Sequence, residues 1–90
     1  MIYKVDETHL TITHIKRIYE EAVLHFALAK EVQIDLSAVK KIDTSGIAVI
    51  LSWWQHAIRH GVKCAFIYSP VVKESFSSYR LKLPEDPKES

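Results

Sequence analysis

The segment that decides the fold is a single run near the middle of the chain, Ile34-Asp35-Leu36-Ser37-Ala38-Val39-Lys40-Lys41-Ile42-Asp43-Thr44-Ser45-Gly46-Ile47-Ala48-Val49-Ile50-Leu51. Its first part completes the run from Val32 to Leu36, which has the length and β-branched content of a strand near the centre of a sheet. Its last part begins an amphipathic helix at Asp-Thr-Ser-Gly. A strand, a short loop and a helix in this order predict an α/β protein.

Two shorter patterns precede this segment. Residues 2–5 and 10–13 alternate apolar and polar side chains around Asp6-Glu7, which predicts two strands joined as a hairpin. From residue 15 to residue 30 the apolar period becomes helical. The helix face consists of Ile15, Ile18, Tyr19, Ala22, Phe26 and Ala29.

Three further elements are predicted after residue 46. The second helix turns Ile47, Ile50, Leu51, Trp54 and Ile58 to the sheet and ends at His60-Gly61. Residues 62–68 form a strand, and Ser69-Pro70 begins a third helix over residues 71–79. The predicted order is β-β-α-β-α-β-α, a mixed sheet with helices packed on it, in one domain over residues 1–84. Residues 85–90 form a polar C-terminal tail.

Composition excludes several classes of function. The 90 residues allow one small domain, and a net charge of +1 is too low for the electrostatic footprint of a nucleic-acid-binding protein. The longest apolar run, residues 47–51, is far short of a bilayer span, and the N-terminus lacks the layout of a signal peptide. We therefore expect a cytoplasmic protein. Cys64 is the only cysteine, so an internal disulfide and a cysteine zinc site are excluded.

The N-terminus of the second helix is the strongest candidate site. Asp43 or Thr44 is expected to cap the helix, and a phosphate on Thr44 would lie where backbone N–H groups favour an anion. No serine has a recognisable histidine and acid beside it, and no phosphate-binding loop is present. His56 and His60 are four residues apart but have no third ligand, so no metal is expected. The sequence predicts neither an enzyme nor a cofactor. The alternative from another class is a small enzyme or nucleotide-binding module that uses the N-terminus of this helix as an anion site.

The opposite side of the second helix carries an apolar and aromatic stripe, Val49, Trp53, His56 and His60, where solvent is expected. Because tryptophan is enriched at binding hot spots, we predict a docking surface there. Its residues are Asp43, Thr44, Ser45, Ala48, Val49, Ser52, Trp53 and His56. The alternative is that the third helix or the C-terminal tail covers Trp53. Leu24 and Leu28 either cover the sheet edge or meet a second copy, so a homodimer through them or through Trp53 is open.

The same residues resemble those of a known family. Asp35-Leu36-Ser37, followed by Asp43-Thr44-Ser45-Gly46-Ile47 at the same spacing, resembles the hallmark of the STAS domain, named for sulfate transporters and anti-sigma factor antagonists. The stop at Gly61, the following strand and the Ser69-Pro70 start are also similar. The resemblance covers most of the chain. It implies the STAS fold and points to Thr44 as the position that anti-sigma factor antagonists phosphorylate.

Two branches of the family have this size. One is the small subunit of the Mla-type ABC transporter, which binds the cytoplasmic ATPase and lies at the inner membrane through that partner. The transporter supports the phospholipid trafficking that maintains outer-membrane asymmetry in bacteria. Thr44, Glu20-Glu21-Ala22 and the Tyr, Leu and Pro cluster at residues 79–84 favour this branch. The other is the anti-sigma factor antagonist, which binds an anti-sigma factor kinase. The Gly-x-Leu-Asp loop common in both branches is missing, which removes part of the face that meets the kinase.

Overall fold

The computed structural model describes residues 2–5 and 8–84, and it has an α/β architecture. The elements in chain order are β1 (Ile2–Lys4), β2 (His9–Leu10), α1 (Ile15–Leu28), β3 (Glu31–Leu36), β4 (Lys41–Ile42), α2 (Thr44–Arg59), β5 (Lys63–Tyr68) and α3 (Pro70–Ser78). The predicted tail at residues 85–90 lies outside the described residues. Within the described part of the chain, no helix has the length and apolar character needed to cross a bilayer.

The strands form two parallel sheets, one of three strands and one of two, which confirms the α/β class and is consistent with a STAS fold. β1, β3 and β5 make one sheet in that order, with Ile34 of β3 beside Tyr3 of β1 and Phe66 of β5. β2 pairs separately with β4, where His9 lies beside Lys41 and Leu10 beside Ile42. Parallel neighbours require a crossover, and α1 and α2 supply the crossovers of the larger sheet.

The predicted hairpin between the first two strands is wrong. β1 pairs with β3 and β2 pairs with β4, so the two strands never meet each other. The second strand is also shorter than expected, because Thr11 to His14 form a turn and Ile12 is 72% exposed. The alternating residue types indicate both strands correctly. They do not indicate the partners of these strands, because both partners lie more than twenty residues away in the sequence. The partner of β2 is the two-residue β4, which is too short to show a pattern.

The core lies between the larger sheet and the helices. Alternate side chains of the strands are buried, as with Val32, Ile34 and Leu36 in β3. α1 buries Ile18, Ala22 and Phe26, which confirms the helical face read from its period. The predicted end of this helix at residue 30 was two residues too late, since α1 ends at Leu28.

The orientation of α2 differs from the expected one. Ile47 and Ile50 are buried as predicted, but Trp53 is fully buried and Ile58 is 53% exposed. α2 packs on α1 as well as on β5, so its buried arc is rotated toward α1. Apolar residues occur on both sides of this helix, and periodicity alone therefore gave the wrong side for Trp53 and Ile58.

The helix ends follow standard capping rules. The backbone N–H groups of Gly61 and Val62 donate to the carbonyls of Ile58 and Ala57, and Gly61 has a φ of 69°. This is a Schellman motif, in which glycine avoids the cost of a left-handed conformation. Ser69 caps α3 by accepting from the N–H of Val72 at 3.3 Å.

α3 ends in a second motif of the same kind. Arg80 has a φ of 56°, and its N–H donates to the Ser77 carbonyl while the N–H of Leu81 donates to the Phe76 carbonyl. The Tyr68 hydroxyl then donates to the Pro84 carbonyl at 2.7 Å, which holds the segment after α3 against β5.

Gly46 marks the closest approach between α2 and the smaller pair of strands. A Cβ at this position would lie 2.3 Å from the carbonyl oxygen of Leu10 and 2.7 Å from Cγ1 of Ile42. Both distances are shorter than atoms tolerate, and the first neighbour is backbone. Only glycine therefore lets the first turn of α2 rest on β2 and β4.

Gly46→Ala is expected to lower the free energy of unfolding by about 2–4 kcal/mol, because either α2 or β2 must move. Gly61→Ala is the matched control: a Cβ there meets nothing within 4 Å. Its cost comes only from the left-handed backbone and should be about 1 kcal/mol. Urea denaturation of both variants measures the difference, and an equal loss in both would contradict the contact at Gly46.

Candidate functional site

The N-terminus of α2 is held by the carboxylate of Asp43. Oδ1 accepts from the N–H of Gly46 at 3.1 Å, which makes Asp43 the N-cap of the helix. Oδ2 accepts from the N–H of Ile12 at 3.2 Å, in the connection between β2 and α1. One side chain therefore fixes both the start of α2 and the position of a neighbouring loop, and the capping role expected for Asp43 or Thr44 belongs to Asp43.

Thr44 is the first residue of α2, and its side chain is exposed. Since Asp43 supplies the cap, the Thr44 hydroxyl is not used to stabilise the helix. The N–H groups of the first turn and the positive end of the helix dipole lie beside it. Thr44 is thus accessible both to a partner and to a modifying enzyme.

The other predicted docking residues divide into two groups. Ala48 and Ser52 are exposed and continue from Thr44 along one side of α2, while Ser45, Val49 and His56 are half-buried. The exposed residues are small, so a partner could approach the helix backbone closely. The surface formed by Thr44, Ala48 and Ser52 is called the α2 strip below.

Trp53 does not belong to this surface. It is fully buried, and its Nε1–H donates to the backbone carbonyl of Tyr19 at 3.4 Å. The expectation that Trp53 is exposed is therefore wrong, and the residue that accepts its hydrogen bond lies in α1, not in α3 or the tail. Trp53 instead links α2, which carries the strip, to α1.

The structure adds a residue that sequence reasoning missed. Ile12 is 72% exposed, and its backbone N–H is bonded to Asp43, so it lies next to the N-terminus of α2. It is an apolar side chain presented to solvent beside Thr44. The one sequence feature that could have indicated this exposure is the short connection between Leu10 and Ile15, which restricts how far the Ile12 side chain can turn toward the core.

The Asp35-Leu36-Ser37 part of the sequence pattern has a structural role. Leu36 is fully buried, and Asp35 accepts from the N–H of Ser37 at 2.9 Å, which turns the chain at the end of β3. The hydrogen bonds from Ser37, aided by the nearby charge of Lys4, lower the pKa of the Asp35 carboxyl. These residues end the strand and set the length of the loop that leads to Asp43.

His56 is set into the contact between α1 and α2. Its ring stacks on Phe26 with 5.5 Å between centroids and lies 4.3 Å from the ring of His60. Desolvation, followed by the charges of His60 and Arg59, lowers the pKa of His56. No group of three metal-ligating side chains occurs among the residues that the structure describes.

Cys64 offers no reactive group to this or any other site. It is buried, and desolvation raises the pKa of its thiol to about 12. Because the thiolate is the nucleophilic form, this cysteine is unreactive near neutral pH.

The structure is a parallel α/β domain in which an exposed threonine lies at a capped helix N-terminus. A protein-family model for the STAS domain matches residues 1–82. The chain therefore belongs to the STAS domain family, whose members are generally non-catalytic regulatory or binding domains. A comparison with curated proteins found no significant match.

Removal of the Asp43 carboxylate is expected to weaken two contacts at once. Asp43→Ala loses the helix cap and the bond to Ile12, and should lower the free energy of unfolding by about 2 kcal/mol. Asp43→Asn keeps one side-chain oxygen as an acceptor and should lose less. Urea denaturation gives the stabilities, and amide exchange at Ile12 and Gly46 locates the change. Wild-type exchange at Ile12 in Asp43→Ala would contradict the double contact.

The lowered pKa of His56 predicts a pH dependence of stability. Near and just below the ordinary histidine pKa of about 6.5, His56 binds a proton more readily in the unfolded chain than in the folded one. The free energy of unfolding should therefore fall as pH decreases through and just below this value. His56→Gln removes that contribution, so the wild type should lose stability relative to the variant between about pH 7.5 and about pH 5.5. If the difference in stability between the wild type and His56→Gln did not change with pH, the lowered pKa of His56 would be contradicted.

Proposed function

We propose that this chain is a non-enzymatic STAS subunit that binds the cytoplasmic ATPase of an ABC transporter for phospholipid trafficking. The observation that carries the proposal is the exposed Thr44 at the first position of α2, within the Asp-Thr-Ser-Gly pattern that resembles the Mla-type branch. In this role Thr44 is a contact that the ATPase covers. Membrane association would then come through the partner.

The docking surface consists of the α2 strip with Ile12 beside its first residue. Asp43 and Ser45 flank Thr44, and the half-buried Val49 and His56 border the strip on the side of α1. Small side chains on a helix fixed at both ends suit a partner that binds a preformed surface, with little ordering cost on this side. If the two states of the ATPase bind this surface with different affinities, binding shifts the equilibrium toward the state that binds more tightly.

The second candidate is an anti-sigma factor antagonist in which Thr44 is phosphorylated. Exposure of Thr44 suits this role as well. The four residues between β2 and α1, residues 11–14, do not match the Gly-x-Leu-Asp loop, which is part of the face that meets the kinase in that branch. This departure favours the transporter subunit.

Thr44→Glu tests the docking role. A negative charge at the first turn of a helix is favoured by the dipole, so the fold should remain intact. In the complex the carboxylate would be buried without a partner, which should weaken binding by about 2–4 kcal/mol, or about 30-fold or more. Ser77→Glu, an exposed position on α3, is the matched control and should bind as the wild type does.

The measurement is capture from membranes and cytosol by the immobilised protein, followed by mass spectrometry. Recovery of an ABC ATPase with its permease by the wild type and by Ser77→Glu, but not by Thr44→Glu, is the expected result. Equal recovery by all three variants would contradict the role of Thr44. Recovery of a soluble kinase, with phosphate on Thr44, would establish the antagonist instead.

A further inference from the structure

A polar groove lies between α1 and the C-terminal half of α2. It has a volume of about 190 Å³ and is lined by Tyr19 of α1 and by Ser52, Gln55, His56 and Arg59 of α2. All five side chains carry hydrogen-bonding groups, and none is a carboxylate. The groove begins at Ser52, where the α2 strip ends.

Arg59 is the charged member of the groove and is exposed. Among residues 2–5 and 8–84, no carboxylate forms an ion pair with it. The carbonyls at the end of α2 offset part of its charge, but the planar guanidinium still offers several N–H donors to a ligand. An arginine that forms no ion pair, beside neutral polar groups, retains the donors that an anion requires.

The groove is preformed. The hydrogen bond from Trp53 to the Tyr19 carbonyl fixes α1 against α2, and the stacking of His56 on the buried Phe26 holds the imidazole at the groove wall. His56 is also subject to the positive fields of His60 and Arg59, and no carboxylate is among the charges that shift it. Among the residues that line the groove, Arg59 carries the one permanent charge, and it is positive.

We propose that this groove binds a single carboxylate of a protein partner, with Arg59 as the anchor. Asp and Glu side chains and the carboxyl terminus of a polypeptide all provide this group, and a guanidinium binds it through two parallel N–H donors. Ser52 and Gln55 supply neutral hydrogen bonds at the rim. The identity of the partner rests on the proposed function, because the groove continues the α2 strip. The existence of the carboxylate site does not depend on that function.

The charge of the groove favours a carboxylate over a phosphate. Arg59 brings one full positive charge, and the histidine is neutral above the ordinary histidine pKa. A carboxylate carries one negative charge, whereas a phosphate group carries about two at neutral pH. The partly negative C-terminal end of α2 makes the second charge unfavourable.

Nuclear magnetic resonance of the isolated ¹⁵N-labelled protein tests the site directly. Acetate and N-acetylglycine are the carboxylate probes, inorganic phosphate is the competing anion, and sodium chloride at matched ionic strength controls for screening. Both carboxylates should give saturable shifts, with millimolar affinity, at Ser52, Gln55 and the Arg59 side chain. Arg59→Gln should abolish these shifts, whereas Lys73→Gln, which removes a charge from the exposed side of α3, should leave them unchanged.

Three results would overturn the proposal: the same shifts with chloride, the same shifts in Arg59→Gln, or tighter binding of phosphate than of acetate. Thr44→Glu separates this proposal from the proposed function, since it should lose the ATPase and keep the carboxylate shifts. Capture of the ATPase without groove shifts would leave the function and remove the carboxylate site. Groove shifts without any ATPase would leave the site and require another partner.

Discussion

The structure depends on the contact between the first turn of α2 and the strand pair β2–β4. Gly46 permits that contact because any side chain would meet the Leu10 carbonyl, and Asp43 secures it by accepting one hydrogen bond from each side. A short-range steric constraint and a carboxylate with two acceptor oxygens thus act on the same turn. Together they place Thr44 at a fixed position on the surface, while Asp43 and not Thr44 caps the helix.

The second organising contact is the packing of α1 on α2. Trp53 fills it and donates to the Tyr19 carbonyl, while the rings of Phe26 and His56 stack a turn further along. This arrangement leaves small and polar residues on the side of α2 that runs from Thr44 through Ser52 to Arg59. The surface beside Thr44 is accordingly flat at one end and polar at the other, which gives a partner both a place for close packing and a place for a charge.

Much of this architecture could be predicted from the sequence. The strand at Val32 to Leu36, the helix at Asp43 and the stop at Gly61 each combine a hydrophobic period with a cap or a turn residue, and local signals of that kind survive folding. The wrong hairpin concerned pairing, which depends on segments far apart in the sequence. The wrong orientation of Trp53 had another cause: α2 has apolar residues on two sides, and only its contact with α1 decides which are buried. Arg59 and Tyr19 lie on different helices, so their groove had no sequence signal.

The buried thiol of Cys64 has a practical consequence. With its pKa raised to about 12 and its side chain buried, it presents almost no thiolate to alkylating reagents at neutral pH. A cysteine introduced anywhere on the surface would therefore be the single reactive thiol, without removal of the natural one. Fluorophores or spin labels could be attached at chosen points on α1 and α2, and the native core would be left untouched.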